Sequence, residues 1–88
     1  MNKYKTWDRL KEPPEIDEDG SKVWRDKEGR LHRENGPAII WKDGSMFWYK
    51  NGKLHRENGP ASQYANGTNY WWVNGKQVSE DEFNAISH

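Results

Sequence analysis

The stretch Asn51-Gly52-Lys53-Leu54-His55-Arg56-Glu57-Asn58-Gly59-Pro60-Ala61 constrains the fold more than any other part of the chain. It occurs almost verbatim once before, as Glu28-Gly29-Arg30-Leu31-His32-Arg33-Glu34-Asn35-Gly36-Pro37-Ala38, and a worn copy follows from Asn74-Gly75-Lys76 to Asp81. Gly29, Gly52 and Gly75 are 23 residues apart, as are Pro14, Pro37 and Pro60. A fixed period of this length signals a repeat architecture in which each unit buries its apolar side against its neighbours.

The units run 14–36, 37–59 and 60–82. Each opens after a proline and reaches a turn signal, Asp19-Gly20, Asp43-Gly44 or Asn66-Gly67. These dipeptides predict type I′ turns, in which both central residues take positive φ. Strands are expected over 45–50 and 68–73, each ending at a second turn, Asn51-Gly52 or Asn74-Gly75. The first unit carries Glu28-Gly29 there with one extra residue, which reads as a bulge or a longer turn. Hairpin following hairpin predicts a mainly β fold, an antiparallel single-layer meander over 14–78. The His-Arg-Glu-Asn-Gly links read as ordered loops, with Gly36 and Gly59 expected at positive φ, and Pro37 and Pro60 starting the next strands.

Both ends depart from the period. Residues 1–13 form an arm in which Tyr4, Trp7 and Leu10 recur every third position before Pro13-Pro14, and Tyr4 and Trp7 are expected to cap the array. At the other end Ser79-Glu80-Asp81-Glu82 has capping-box spacing. A short capping helix is expected within 79–88, with Phe83 and Ile86 docking on the last hairpin.

Composition narrows the functional classes. The 88 residues hold 14 Lys plus Arg against 14 Asp plus Glu, so the net charge is zero, without the basic excess usual in nucleic-acid binders. Mean hydropathy is strongly negative, yet there are six Trp, four Tyr and two Phe, which favours a thin, ring-rich apolar layer over disorder. With no cysteine there is neither a disulfide framework nor a thiolate metal site. The N-terminal residues lack the apolar region of a secretory signal and the apolar runs are far too short to span a bilayer, so a cytoplasmic, membrane-free protein is expected.

Two sets of residues are candidates for function. The fourth residue after each first-turn glycine is Trp24, Trp48 or Trp71, expected to form the core. Strand alternation sends Phe47 and Tyr49, and Tyr70 and Trp72, to the opposite faces of their strands. A fully buried ring gains on the order of 4–6 kcal/mol of gross transfer free energy. Rings on both faces therefore call for a second cover, and Phe47, Tyr49, Tyr70 and Trp72 are the candidate partner-binding surface. The second set, His32 and Arg33 with His55 and Arg56, recurs along one edge. There Arg-Glu pairs and His N–H groups would brace neighbouring loops, or the arginines would meet a carboxylate, phosphate or nucleotide. Two histidines make too thin a set for a metal site. No nucleophile turn or phosphate loop is present, and the carboxylate pairs Glu15/Asp17 and Glu80/Asp81 are explained by solvation and capping. Neither catalysis nor a cofactor is expected.

The pattern Asn51-Gly52-Lys53-x-His55, Gly59, Tyr64, Asn66-Gly67-Thr68, Tyr70 to Gly75 resembles MORN-type repeats over roughly 14–78. It is nearer a divergent MORN-like branch with a Leu-His-Arg-Glu-Asn-Gly-Pro-Ala loop, found in small phage and bacterial proteins, some antitoxin-like. The resemblance implies a curved single-layer sheet that binds a host or cognate protein without catalysis. An inhibitor of a host defence protein fits that branch. The standard second Gly-x-Gly is replaced by Arg-Glu-Asn-Gly-Pro-Ala, so lipid binding is not implied. Two other readings stand beside it: nucleotide or nucleic-acid binding through rings and arginines, and a self-assembling scaffold, including a homodimer.

Overall fold

The computed structural model describes residues 14–86. The expected arm and its caps Tyr4 and Trp7 lie outside them. The fold is mainly β: a seven-stranded antiparallel open sheet, a separate two-stranded ribbon and a short C-terminal helix. In chain order the strands are β1 (Glu15–Ile16), β2 (Lys22–Val23), β3 (Ile39–Ile40), β4 (Met46–Phe47), β5 (Tyr49–Lys50), β6 (Lys53–Leu54), β7 (Ser62–Gln63), β8 (Asn69–Val73) and β9 (Lys76–Val78), followed by α1 (Glu80–Ala85). The large sheet runs β1-β2-β3-β4-β7-β8-β9, and β5 pairs with β6. One ladder position crosses most of the sheet, through Glu15, Val23, Ile39, Phe47, Ser62 and Tyr70.

The expected strand over 45–50 is broken at Trp48. Its N–H donates to the Ala61 carbonyl at 2.8 Å and its carbonyl accepts from His55 N–H at 3.0 Å. The chain therefore changes partner at this residue, leaving the large sheet for the ribbon. Trp24 behaves alike, with its N–H on the Ala38 carbonyl and its carbonyl under His32 N–H. Ala38 and Ala61 are fully buried at these crossings.

The turns divide into two kinds. Asn51 and Asn74 have φ of 54° and 51°, each followed by glycine at 84°, so both carry the expected type I′ signature. The Asp19-Gly20, Asp43-Gly44 and Asn66-Gly67 turns do not. Among their central residues only the glycines are at positive φ, and each glycine N–H donates three residues back, to the Asp17, Trp41 or Tyr64 carbonyl. This is the three-residue loop ending in a left-handed glycine. It wins because the preceding side chain locks it. Asp19, Asp43 and Asn66 accept through Oδ1 from the N–H two residues on, at 2.8–3.0 Å. The Glu28-Gly29 turn is the longer loop its extra residue predicts, closed by Gly29 N–H on the Asp26 carbonyl.

At the C-terminal end the capping box forms. Ser79 Oγ accepts from Glu82 N–H at 3.0 Å, and Ser79 N–H donates to Glu82 Oε1 at 2.9 Å. Three acidic residues in the first turn suit the positive end of the helix dipole. The helix packs on β8 and buries Phe83 at 4% exposure. Ile86, expected to dock beside it, follows the last helical turn in extended conformation and is 43% exposed.

Candidate functional site

The sheet brings four rings together in a continuous row. Trp41 meets Phe47 edge to face at 6.2 Å between centroids, Phe47 meets Tyr64 at 5.3 Å, and Tyr64 meets Tyr70 at 5.9 Å. The register explains the row. Ile39 lies opposite Phe47 and Ser62 opposite both Phe47 and Tyr70, so Trp41 and Tyr64, two residues further along, fall on the same side. Edge-to-face pairs of this kind are each worth about 0.5–1.5 kcal/mol beyond area burial. They fix the rings while leaving Trp41, Tyr64 and Tyr70 about 40% exposed.

Of the four rings proposed from sequence as a binding surface, the row contains Phe47 and Tyr70. Tyr49 stands in the β5–β6 ribbon opposite Leu54 and is half-buried. Burial, and then the neighbouring Tyr64, push its phenol up from the ordinary value. Trp72 is half-buried opposite Gln77, and its indole Nε1 is buried without a hydrogen-bond partner among the described residues. Trp41 and Tyr64 escaped the sequence argument. Each lies three residues before a first-turn glycine, a position that also accepts that glycine's N–H, and this shared offset was the available signal.

The Trp column proposed as core is graded. Trp24 is buried at 7% exposure, and Trp48 and Trp71 are half-buried. The covers of the first two are the loop arginines. The Arg33 guanidinium carbon lies 3.8 Å from the Trp24 ring centroid and that of Arg56 lies 3.8 Å from Trp48. Arg33 Nη1 also donates to the Pro37 carbonyl at 3.2 Å, and Arg56 Nη1 to that of Pro60 at 3.1 Å. Burial pushes both guanidinium groups down from their usual value, without removing a charge so firmly held.

This arrangement corrects two expectations. Gly36 and Gly59 are not at positive φ. They are glycine because a Cβ would stand 3.0 Å from the Arg33 Cζ or 3.2 Å from the Arg56 Cζ. Nor, among the described residues, do Arg33 and Arg56 pair with a glutamate. Glu34 and Glu57 meet the histidines instead, at 2.8 Å from His32 Nε2 and 3.4 Å from His55 Nε2.

His32 and His55 are each committed on both nitrogens. His32 Nδ1 accepts from Asn51 N–H at 2.9 Å and His55 Nδ1 from Asn74 N–H at 3.0 Å. The proton therefore sits on Nε2, facing the glutamate. The next residue of each turn follows suit, with Gly52 N–H on the Leu31 carbonyl and Gly75 N–H on that of Leu54, both at 2.8 Å. The type I′ turn matters here because it aims two successive N–H groups at the preceding hairpin.

A parallel brace runs through small hydroxyls that sequence reading passed over. Ser21 Oγ accepts from Lys42 N–H at 3.0 Å and Ser45 Oγ from Ala65 N–H at 2.9 Å. Both serines are buried, which strengthens the bonds and raises the cost of losing them.

Among the described residues no group of three or more His, Asp or Glu is placed to hold a metal ion. Among the same residues no helix is long and apolar enough to cross a membrane. Compared with known proteins, the chain matches no family model, no curated protein sequence and no solved structure.

Proposed function

We propose that this chain is a small non-catalytic protein-binding module, built from three MORN-like units in a single layer and docking through the row Trp41–Phe47–Tyr64–Tyr70. The observation that carries the reading is the row itself: four rings in edge-to-face contact, three of them about 40% exposed. Trp and Tyr are over-represented among residues that dominate binding energy. Rings already locked by one another lose little conformational freedom on docking.

The loop residues support the protein reading over the nucleotide one. His32 and His55 spend both ring nitrogens inside their own chain. Zero net charge offers no general attraction to phosphates. In keeping with the small phage and bacterial proteins that the sequence resembles, the partner is a host or cognate protein whose activity is blocked when the row is covered.

Photo-crosslinking tests this. The reagent p-benzoylphenylalanine replaces Tyr64 in one preparation and Lys27, on an exposed turn, in another, and both are irradiated in a lysate of the native cell. A discrete protein adduct at position 64, absent at 27, is expected. Equal labelling at the two positions, or none at 64, contradicts the reading.

A further inference from the structure

A groove that shares no residue with the ring row offers a second candidate. Between the second Leu-His-Arg loop and α1 the chain leaves an open groove of about 670 Å³. We propose that it binds the C-terminal carboxylate of a peptide whose last residue has an aliphatic side chain.

One wall supplies the charge. Arg56 lines the groove and has no carboxylate within ion-pair distance among the described residues. Glu57 also lines the groove, but it meets His55 Nε2 at 3.4 Å rather than Arg56. The Arg56 guanidinium is held from two directions, by the Trp48 ring at 3.8 Å and by the Pro60 carbonyl at 3.1 Å. A planar cation fixed in this way is preorganised for the two parallel hydrogen bonds that a carboxylate accepts. Asn58 and Asn84 add amide groups to the lining.

Three of the remaining lining residues give an apolar wall. Val73 from β8 is half-buried, Phe83 from α1 is buried, and Ile86 remains 43% exposed although it lines the same groove. The volume falls within the range of sites that enclose small ligands. A C-terminal residue carries its carboxylate and its side chain on one carbon, so a single residue satisfies both walls. A phosphate dianion would bring more charge against Glu57 and leave the apolar wall bare.

The molecule contains its own control. Arg33 makes the same stack on Trp24 with the same proline carbonyl contact but does not line this groove.

The experiment titrates the 15N-labelled protein with acetyl-Ala-Ala-Leu as free acid and, separately, as its C-terminal amide, following backbone amide shifts. Saturable shifts at Asn58, Asn84 and Ile86 are expected with the acid at millimolar peptide. The amide, and the Arg56→Lys variant with the acid, should each bind about tenfold more weakly, the weight of one charge-assisted contact. Arg33→Lys should bind as the parent does. Ile86→Ala, at an exposed position, should weaken the acid and keeps the test available if Arg56→Lys does not fold. The proposal is overturned by equal binding of acid and amide, by equal effects of the two arginine variants, by an unaltered affinity in Ile86→Ala, or by no shift at all. An acid arm that binds while the photo-crosslink at position 64 fails would leave this groove standing without the ring row.

Discussion

The Arg33 guanidinium carbon sits 3.8 Å from the centroid of the Trp24 ring, and Gly36 lies so close on another side that a Cβ there would stand 3.0 Å from the same carbon. The glycine is thus part of the cation's packing and serves no unusual backbone conformation. Gly36→Ala should destabilise the protein by about 1–3 kcal/mol, the usual cost of overpacking. In a double-mutant cycle with Arg33→Ala the two changes should fall short of additivity by about 1 kcal/mol, because removing the guanidinium makes room for the methyl. Urea unfolding of the four proteins measures this, and strict additivity would contradict the packing account.

The histidines make a spectroscopic prediction. Because Nδ1 of His32 and of His55 accepts a backbone N–H, ring 15N shifts at neutral pH should report the Nε2–H tautomer for both. His55→Ala should cost about 0.5–1.5 kcal/mol, the net worth of an ordinary hydrogen bond. Amide exchange at Asn74 should quicken in that variant. An Nδ1–H tautomer, or an unchanged Asn74 rate, would remove the brace from the account.

Buried hydroxyls should matter more than exposed ones. Ser45→Ala leaves Ala65 N–H without its acceptor at a position only 4% exposed, and about 1–3 kcal/mol of stability should be lost. Thr68 follows the third first-turn glycine, as Ser45 follows the second, but is exposed. Thr68→Ala should stay within about 0.5 kcal/mol of the parent. Thermal melts of the pair decide, and similar Tm shifts would count against the serine brace.

Acid sensitivity follows from the turn carboxylates. The Ser45 backbone N–H and then its side chain hold the Asp43 carboxyl below the ordinary carboxylate value, and Ser21 does the same for Asp19. At Asp26 burial pushes up, but hydrogen bonds from the Arg30 backbone and side chain outweigh it, and the net shift is again downward. A depressed folded-state pKa contributes stability that is complete above the unfolded value, near 3.8, and fades as pH falls through the folded value. Stability should therefore drop below about pH 4. Asn66 already fills the equivalent place in the third such turn through its own Oδ1. Asp19→Asn with Asp43→Asn should keep those turn bonds and flatten the acid limb of unfolding, measured by circular dichroism. An unchanged acid limb would mean that these carboxylates do not set it.

What could be read in advance depended on how local the interaction is. The Ser79–Glu82 box and the Asn51-Gly52 and Asn74-Gly75 turns each involve a few consecutive residues, and their geometry followed from residue type. Asp43-Gly44 misled because the dipeptide suits two loop lengths. The choice falls to the Asp43 carboxylate on Ser45 N–H and to the Trp41–Ser45 pairing, which dipeptide identity does not encode. The break at Trp48 depends on a carbonyl 13 residues away at Ala61. Alternation alone found Phe47 and Tyr70. Joining them required Tyr64, whose place depends on the register of β4, β7 and β8. The loop was marked by its repetition in the sequence, yet stacking on tryptophan was missed because Arg-Glu adjacency in sequence suggested a pairing that Arg33 and Arg56 do not make among the described residues.

On the function proposed, the conspicuous residues divide into loop braces and a row of rings that docks a partner. Affinity capture from native lysate with two variants tests that division most directly, with Tm recorded for each. Tyr64→Ser with Tyr70→Ser should lose the captured protein while remaining folded, and His55→Ala should lower Tm yet retain it. Capture that survives the ring substitutions and fails in a folded His55→Ala protein would reverse the assignment.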